Sequence, residues 1–344
     1  MNKFKKVMSV TLAGCMAVST LMMSASAVEN NVQSSQINTP YSITTNIEPD
    51  GTIVHVLDRS HSNTTYTATT THDYSQTKRD LLNLGMEEEL VDRMSDEDLE
   101  VYAESPYMWT ATNYFKTTAD GETVPVSEEE ALTAAHEAEI TPYAASDQDK
   151  IQDSYMRVHY MATDMHDGNG KYRFKTSARW LTMPYFRGAD FVGACSQRCT
   201  FTPNSDVADI SYTQTNYSVT GAVTGSKTVV TPLTKGFQSA SKDTYNGRAV
   251  KFQLPKDIVN PQTGNINTAY TNVLVHHQFD GKVDEPDSRI NFNSAGAYMH
   301  QTVSVSINPT LTIAYKGTKG TLGVSAAAYY ERGRDVFLEI NYVP

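Results

Sequence analysis

From about residue 151 to the C-terminus, strand-like segments follow one another with only short turns between them. The first two, 154–164 and 171–181, flank the sequence His166 to Gly170, which is a strong hairpin signal. The later segments are separated by Gly, Asn and Pro, without helical patterns between them. Many short strands in succession predict an antiparallel β-sandwich of the jelly-roll kind, with a closed barrel as the alternative.

The residues before this domain have a different composition. Residues 28–75 are rich in Ser, Thr and Asn and predict a partly extended region with one strand at 52–57. A proline and several small residues interrupt the pattern at 141–146, where we place a boundary. The chain is therefore predicted to be mainly β, with a sandwich domain at 150–344 preceded by a small acidic α+β region at 76–145.

Within this acidic region, apolar residues recur at helical spacing and acids cluster near the helix starts. Ser95, for example, is a good N-cap that is followed directly by three acidic residues. We expect short helices at about 77–93, 96–104 and 128–139, and a strand at 108–117.

Formal charge is distributed unevenly along the chain. Residues 28–150 contain 24 acids against 6 Lys and Arg, a charge of −18, whereas residues 151–344 contain 15 acids against 19 Lys and Arg, a charge of +4. Such asymmetry indicates either that an acidic segment docks on a basic one or that acids keep an exposed region soluble. Because the acids cluster on predicted helices, the solubility interpretation is favoured.

Aromatic and basic side chains alternate along the strand predicted at 171–181. Because successive side chains of a strand point to opposite faces, one face is aromatic and is expected to pack. The other face carries Arg173, Lys175 and Arg179. We expect these three residues to form an exposed basic stripe that could bind an anionic cell-envelope polymer, in a salt-dependent manner.

The N-terminus has the order of features of a secretory signal peptide. Lysines precede an apolar stretch at 7–23, and small residues occupy 24–27. We expect residues 1–27 to be removed and the mature protein to be secreted. Cys15 lies in a sequence that resembles the lipobox of bacterial lipoproteins, so lipid anchoring at the cell surface is the alternative.

Two cysteines, Cys195 and Cys199, follow the predicted signal peptide. In a continuous strand their Cα atoms would lie about 13 Å apart, which is beyond the reach of a disulfide. A turn at 196–198 would make them cross-strand neighbours. Since exported proteins favour disulfides over free thiols, a disulfide that closes a tight hairpin is predicted.

Two segments of the C-terminal half carry a resemblance. One is GKYRFKTSARWLTMP at 170–184, with Phe186, Arg187 and Asp190 after it, and the other is YMHQTVSVS at 298–306. They resemble segments of uncharacterised exported β-rich proteins of Gram-positive bacteria. The resemblance implies an exported β-rich protein and carries no established activity.

The sequence contains no complete catalytic or metal-binding motif. His136 and Glu137 begin an HExxH pattern, but Ile140 occupies the position of the second histidine. His276 and His277 are adjacent on a predicted strand, so they should point to opposite faces and cannot chelate one metal ion without distortion. His159 and His300 could join one of them across a sheet, but exposed or hydrogen-bonded strand histidines are the favoured interpretation. No cofactor, metal or nucleic-acid partner is predicted.

The leading functional hypothesis is a secreted, non-catalytic binding or surface-interaction protein with a carbohydrate or cell-envelope ligand. Exposed aromatic side chains would recognise a carbohydrate, and the candidates in or near predicted loops are Tyr185, Tyr212, Tyr217 and Tyr245.

Two alternatives of other classes remain open. Segments at 302–307, 311–313 and 210–230 alternate apolar with small polar residues, which is also typical of the strands of a β-pore-forming protein. The acidic N-terminal region would then act as its cover. An extracellular hydrolase is the other alternative, because the separation of paired carboxylates is set by the fold.

Overall fold

The computed structural model describes most of the chain from residue 41 onward. The described residues are 41–60, 74–118, 121–140, 153–184, 186–303, 308–331 and 334–344. The predicted signal peptide at 1–27, with Cys15, lies outside the described residues, as do Tyr185 and residues 304–307.

Strands dominate the described part of the chain. In chain order they are β1 (Ser42–Ile47), β2 (Ile53–Asp58), β3 (Tyr107–Thr117), β4 (Thr123–Val126), β5 (Ser154–Asp164), β6 (Lys171–Trp180), β7 (Ala189–Gln197), β8 (Cys199–Phe201), β9 (Val207–Tyr217), β10 (Val223–Pro232), β11 (Phe237–Lys242), β12 (Tyr245–Gln253), β13 (Ile258–Val259), β14 (Ile266–Val283), β15 (Ile290–Met299), β16 (Leu311–Lys316), β17 (Lys319–Val324) and β18 (Asp335–Tyr342). The helices are α1 (Ser75–Asn83), α2 (Glu88–Asp92), α3 (Asp96–Glu104) and α4 (Glu128–Ile140). None of these helices is long and apolar enough to cross a membrane.

The larger sheet has eleven strands, and its path runs β1-β2-β3-β5-β6-β14-β9-β10. The neighbours along this path are antiparallel, and β4 adds to β3 while β8 and β13 add to β14. β3, from the acidic region, pairs with β5 over ten residue positions, for example Asn113 with Val158. The acidic region therefore contributes strands to the same sheet as the residues that follow position 150.

The smaller sheet has five antiparallel strands in the order β11-β12-β7-β15-β18. It packs against the larger sheet through one apolar core to which both sheets contribute. The largest fully buried side chains of this core are Trp180, Tyr160, Tyr172, Phe174, Phe279, Tyr298 and Phe292. The antiparallel β-sandwich predicted from the sequence is confirmed.

Each sheet also has a cover on its outer face. The hairpin β16–β17 packs Ile313 and Leu322 against the smaller sheet. Helices α1, α2 and α3, which we call the cap (residues 75–104), pack Leu81 and Leu99 against Met161 of the larger sheet. Both faces of β3, β5 and β6 are consequently buried over most of their length.

Some elements differ from the sequence-based expectation. The helix predicted at 77–93 is divided into α1 and α2, because Gly85 follows α1 with a φ of +85°, a conformation that ends a helix. The short edge strand β11 was not predicted, since its sequence FQSASK has few strand-forming residues.

A close approach between the two sheets requires a glycine at position 296. A Cβ atom there would lie 2.5 Å from the Cβ of Tyr160 in the opposite sheet. We expect Gly296→Ala to lower the free energy of unfolding by about 1–3 kcal/mol through overpacking. Chemical denaturation measures this, with Gly225→Ala as the control, because a Cβ at Gly225 meets no atom within 4 Å. Equal stability of the two variants would contradict the packing described.

Candidate functional site

The basic stripe predicted on β6 exists, but the cap covers it. Arg179 donates from Nε to Glu87 at 3.1 Å and from Nη2 to Glu89 at 2.9 Å. Arg173 donates from Nη1 to Asp98 of α3 at 3.0 Å. The expectation of an exposed anion-binding stripe at Arg173, Lys175 and Arg179 is therefore wrong, because acids of the same chain already occupy the two arginines.

The same ion pairs explain the uneven charge of the sequence. Glu87 binds Arg157 of β5 at 2.6 Å as well as Arg179, so one carboxylate of the cap joins two strands of the sheet. The favoured interpretation, in which the acids only keep the region soluble, is wrong for these residues. Here the acidic segment docks on the basic one.

Lys175 lies between Arg173 and Arg179 on this face and is only 5% exposed. No hydrogen bond or ion pair joins its ammonium group to another of the described residues. Burial lowers the pKa of Lys175 to about 8 from its ordinary value of 10.5. Burying an unpaired cation is unfavourable, so the charged Lys175 lowers the free energy of unfolding. Because it is buried, Lys175 is also not available to a ligand.

The adjacent histidines of β14 point to opposite faces, as predicted. Nδ1 of His276 lies 3.2 Å from Asp209 on the cap side, out of hydrogen-bond alignment. Nε2 of His277 lies 3.0 Å from Asp206 on the sandwich side. Burial lowers the pKa of both imidazoles. Across the described ranges, no cluster of three or more His, Cys, Asp or Glu side chains could hold a metal ion.

The two cysteines are free thiols. Cys195 belongs to the apolar cluster under the β16–β17 hairpin, whereas Cys199 belongs to the core between the sheets. Arg198, between them, has a φ of +51° and turns the chain from the smaller sheet to the larger one. The predicted disulfide is therefore absent, and burial raises the pKa of both thiols, which makes them unreactive.

The two segments that carry the sequence resemblance meet in the interior. Trp180 donates from Nε1 to the hydroxyl of Tyr298 at 2.9 Å, and that hydroxyl donates to Asp190. Nδ1 of His300 lies 2.9 Å from Asp190, and the backbone N–H of Gln301 donates to the same carboxylate at 3.1 Å. All these side chains are buried. They form a polar network that joins the sheets and is closed to a ligand.

Arg334 extends this network. Its guanidinium lies over the ring of Trp180, 4.6 Å from the ring centroid, and pairs with Glu331. Its Nε and Nη1 atoms have no hydrogen-bond partner among the residues that the structure describes. The side chain is 1% exposed, so Arg334, directly before β18, makes a buried contact with Trp180 of β6.

The four tyrosines proposed from the sequence have different positions. Tyr185 lies outside the described residues. Tyr245 is 4% exposed and belongs to the cluster under the β16–β17 hairpin, so its prediction as a ligand residue is wrong. Tyr212 and Tyr217, both on β9, are half-buried. Only the β9 tyrosines among the described candidates can contact a ligand.

Tyr212 has an aromatic partner that the sequence did not indicate. The rings of Tyr212 and Tyr270 meet edge to face, with 5.3 Å between centroids. Tyr270 is on β14, 58 positions away in the sequence, and the antiparallel register places it opposite Gln214. The bulge between Thr271 and Leu274 in β14 accompanies this pairing.

Polar side chains adjoin this pair on the same face. Asn216 accepts from Gln214 at 3.2 Å and from Thr268 at 3.1 Å, both at Oδ1. Nδ2 of Asn216, Oε1 of Gln214 and both tyrosine hydroxyls have no hydrogen bond within the described part of the chain. We call Tyr212, Gln214, Asn216, Thr268 and Tyr270 the aromatic shelf. In the described part of the chain, the aromatic shelf brings candidate aromatic and amide groups together on the core-facing side of the larger sheet. Tyr212 packs in part against the core between the sheets, and Tyr270 beside it is half-buried.

Two surface depressions lie away from the aromatic shelf and are lined by other residues. One, of about 410 Å³, lies beside α4 and is lined by Glu129, Glu130, Glu137 and Tyr155 together with smaller residues. The other, of about 450 Å³, lies between β8 and the end of β14 and includes Phe201 and Lys282. Neither brings a histidine beside a hydroxyl or thiol nucleophile, the arrangement that nucleophilic catalysis uses.

The segments proposed for a pore-forming hairpin belong to the sandwich or its covers. Residues 210–230 form most of β9 and β10, and residues 311–313 lie in β16 of the outer hairpin. Residues 304–307 lie outside the described residues. The acidic cap lies over β5 and β6 and not over β10.

The burial of Lys175 leads to a stability prediction. The unfolded chain, with the ordinary pKa of 10.5, binds the proton more tightly than the folded chain, with a pKa of about 8. The penalty, about 3 kcal/mol, is therefore fully present below the folded pKa and disappears as the pH rises to the unfolded value. We expect Lys175→Met to raise the free energy of unfolding at about pH 7 by about 1–3 kcal/mol.

Urea denaturation at several pH values measures this effect. The wild-type protein should gain stability relative to the variant between the two pKa values, and the exposed control Lys282→Met should leave stability unchanged. Destabilisation by Lys175→Met would show that the ammonium group has a stabilising partner.

Comparison with known proteins gives no family for the chain. No family model matches it, and no curated protein matches it. Among solved structures, the crystal structure of the KRT10-binding region domain of the pneumococcal serine rich repeat protein PsrP has a TM-score of 0.19 and 8% sequence identity, over 42% of this chain and 77% of that chain. This similarity identifies neither a fold family nor a ligand for the chain.

Proposed function

We propose that this chain is an exported, non-catalytic binding protein whose ligand is a carbohydrate and whose binding surface is the aromatic shelf. The observation that supports this most is the pairing of Tyr212 with Tyr270 beside amide groups that have no protein partner. Export rests on the signal-peptide features of residues 1–27.

The chemistry of the shelf suits a sugar. A tyrosine ring offers an apolar face against which the C–H groups of a sugar ring can pack, and its hydroxyl offers a hydrogen bond. Amide side chains both donate and accept, so Gln214 and Asn216 can satisfy sugar hydroxyls in either role. Ligand sites commonly combine aromatic contact area with a few polar groups in this manner.

The shelf is also held in place before any ligand arrives. Its residues lie on β9 and β14, which are paired with each other. β14 also pairs with β6 and so with the rest of the larger sheet, and β10 pairs with the other side of β9. Thr268, which is 8% exposed, lies opposite Asn216 on the neighbouring strand and donates a hydrogen bond to its Oδ1 atom. Sites on strands lose less conformational entropy on binding than sites on loops.

The test is a comparison of glycan binding by shelf variants. Tyr270→Ala and the pair Gln214→Ala and Asn216→Ala should each weaken binding of a glycan recognised by the wild-type protein by roughly tenfold, about 1.4 kcal/mol. A glycan array identifies the ligand and calorimetry measures the affinity. The amide variants remove no core side chain, so they retain the fold.

The matched control is Tyr315→Ala, because Tyr315 is a 40% exposed tyrosine on β16, away from the shelf. Its removal should leave glycan affinity unchanged. Undiminished binding by all shelf variants, or loss in the Tyr315 variant alone, would contradict the proposal.

A further inference from the structure

The segment 210–242 differs in charge from the rest of the chain. It contains Lys227, Lys235 and Lys242 and no acidic residue, in a chain whose net charge is −11. All three lysines are exposed. The segment includes most of β9, all of β10 and all of β11.

These strands form one side of the sandwich. β10 is the last strand of the larger sheet and β11 is the first strand of the smaller sheet. Only residues 233–236 join them, and Leu233 and Phe237 both pack against the core between the sheets. The two unpaired edges therefore lie next to each other, and we call β10, residues 233–236 and β11 the open side.

The acids that flank this segment do not neutralise the open side. Asp206 pairs with Arg248 and lies 3.0 Å from His277. Asp209 pairs with Arg93 of the cap at 3.2 Å. Asp243 accepts a hydrogen bond from the hydroxyl of a tyrosine of the outer hairpin. Asp206 and Asp209 thus have cationic partners outside the open side, whereas Asp243 does not and can offset the charge of the adjacent Lys242. The positive charge of the open side therefore rests on Lys227 and Lys235.

Lys227 lies next to the aromatic shelf. The register pairs Lys227 of β10 with Gln214 of β9, and Gln214 with Tyr270 of β14, so the three side chains form a row on one face. Adjacent strands are about 4.8 Å apart, so the ammonium of Lys227 and the ring of Tyr270 are within reach of one sugar unit and its substituent. No hydrogen bond or ion pair engages Lys227 or Lys235 in the described part of the chain.

We propose that the carbohydrate recognised by this chain is anionic, a glycan with carboxylate or phosphate groups, and that Lys227 contacts these groups while Tyr270 contacts the sugar ring. This inference rests on the proposed function of the aromatic shelf. The open side supplies charge complementarity. The basic stripe of β6 supplies none, since cap acids pair with Arg173 and Arg179 and Lys175 is buried.

The experiment uses the full mature protein and four immobilised polymers. These are polygalacturonate, a phosphomannan, neutral dextran and neutral mannan. We expect at least one anionic polymer to bind more tightly than both neutral polymers, and binding to it to weaken as salt rises from low to physiological concentration. Preference between the first two polymers distinguishes carboxylate from phosphate recognition.

Lys227→Gln is the diagnostic variant. It should lower affinity for the anionic polymer by about two- to fivefold at low salt, the size of an exposed ion pair, with little change at high salt. Lys282→Gln removes the same charge from an exposed residue on β14 beyond the shelf and should have no effect. Both substitutions are at exposed positions, so the fold is retained.

The outcomes separate the two proposals. Equal affinity for neutral and anionic polymers, with loss of binding in Tyr270→Ala but not in Lys227→Gln, would overturn the charge inference and leave the shelf in place. Binding that is unchanged in Tyr270→Ala, or absent for all four polymers and for a glycan array, would overturn the proposed function itself.

Discussion

The ion pairs between the cap and β6 determine the layering of this protein. A strand with arginines and a lysine on one face and aromatic residues on the other would normally place the basic face in water. Here Glu87 and Glu89 neutralise Arg179, and Leu81 and Leu99 add an apolar contact beside the charges. β3, β5 and β6 of the larger sheet are consequently buried on both faces over most of their length. The basic side chains Arg173, Lys175 and Arg179 of β6 are therefore largely withdrawn from solvent.

This covering determines where a ligand can bind. With β3, β5 and β6 covered by the cap on one side and by the smaller sheet on the other, accessible sheet surface is found toward the end of the path, on β9 and β10. The aromatic shelf and the unpaired Lys227 lie there. The exposed, unpaired Lys227 is therefore separated from the covered stripe on β6, although both belong to one sheet.

Much of the fold could be predicted from the sequence, because strands and hairpin turns have signals in neighbouring residues. Alternation along β6, the hairpin turn before it and the strand 154–164 are all local, and the structure has them at the expected positions. Alternation shows which side chains share a face, but not what that face contacts. The burial of Lys175 depends on helices that lie about 80 positions earlier in the chain, so no local signal indicated it.

The candidate site was predicted only in part for the same reason. Tyr212 was proposed from its type and surroundings, but its partner Tyr270 and the neighbouring Lys227 come from strand register across distant segments. Cys195 and Cys199 illustrate the opposite error, since their spacing suggested a hairpin whereas Arg198 sends the chain from one sheet to the other. Register and sheet switching are tertiary properties that residue spacing does not encode.

The central claim is that the basic face of β6 is interior while the open side is free. Brief acylation of the native protein with an amine-reactive reagent, followed by mass spectrometry of each lysine, tests it directly. Lys227 and Lys235 should be acylated rapidly, and Lys175 should stay unmodified until the protein is unfolded. Acylation of Lys175 in the native protein at the rate of Lys227 would show that the cap does not cover the stripe.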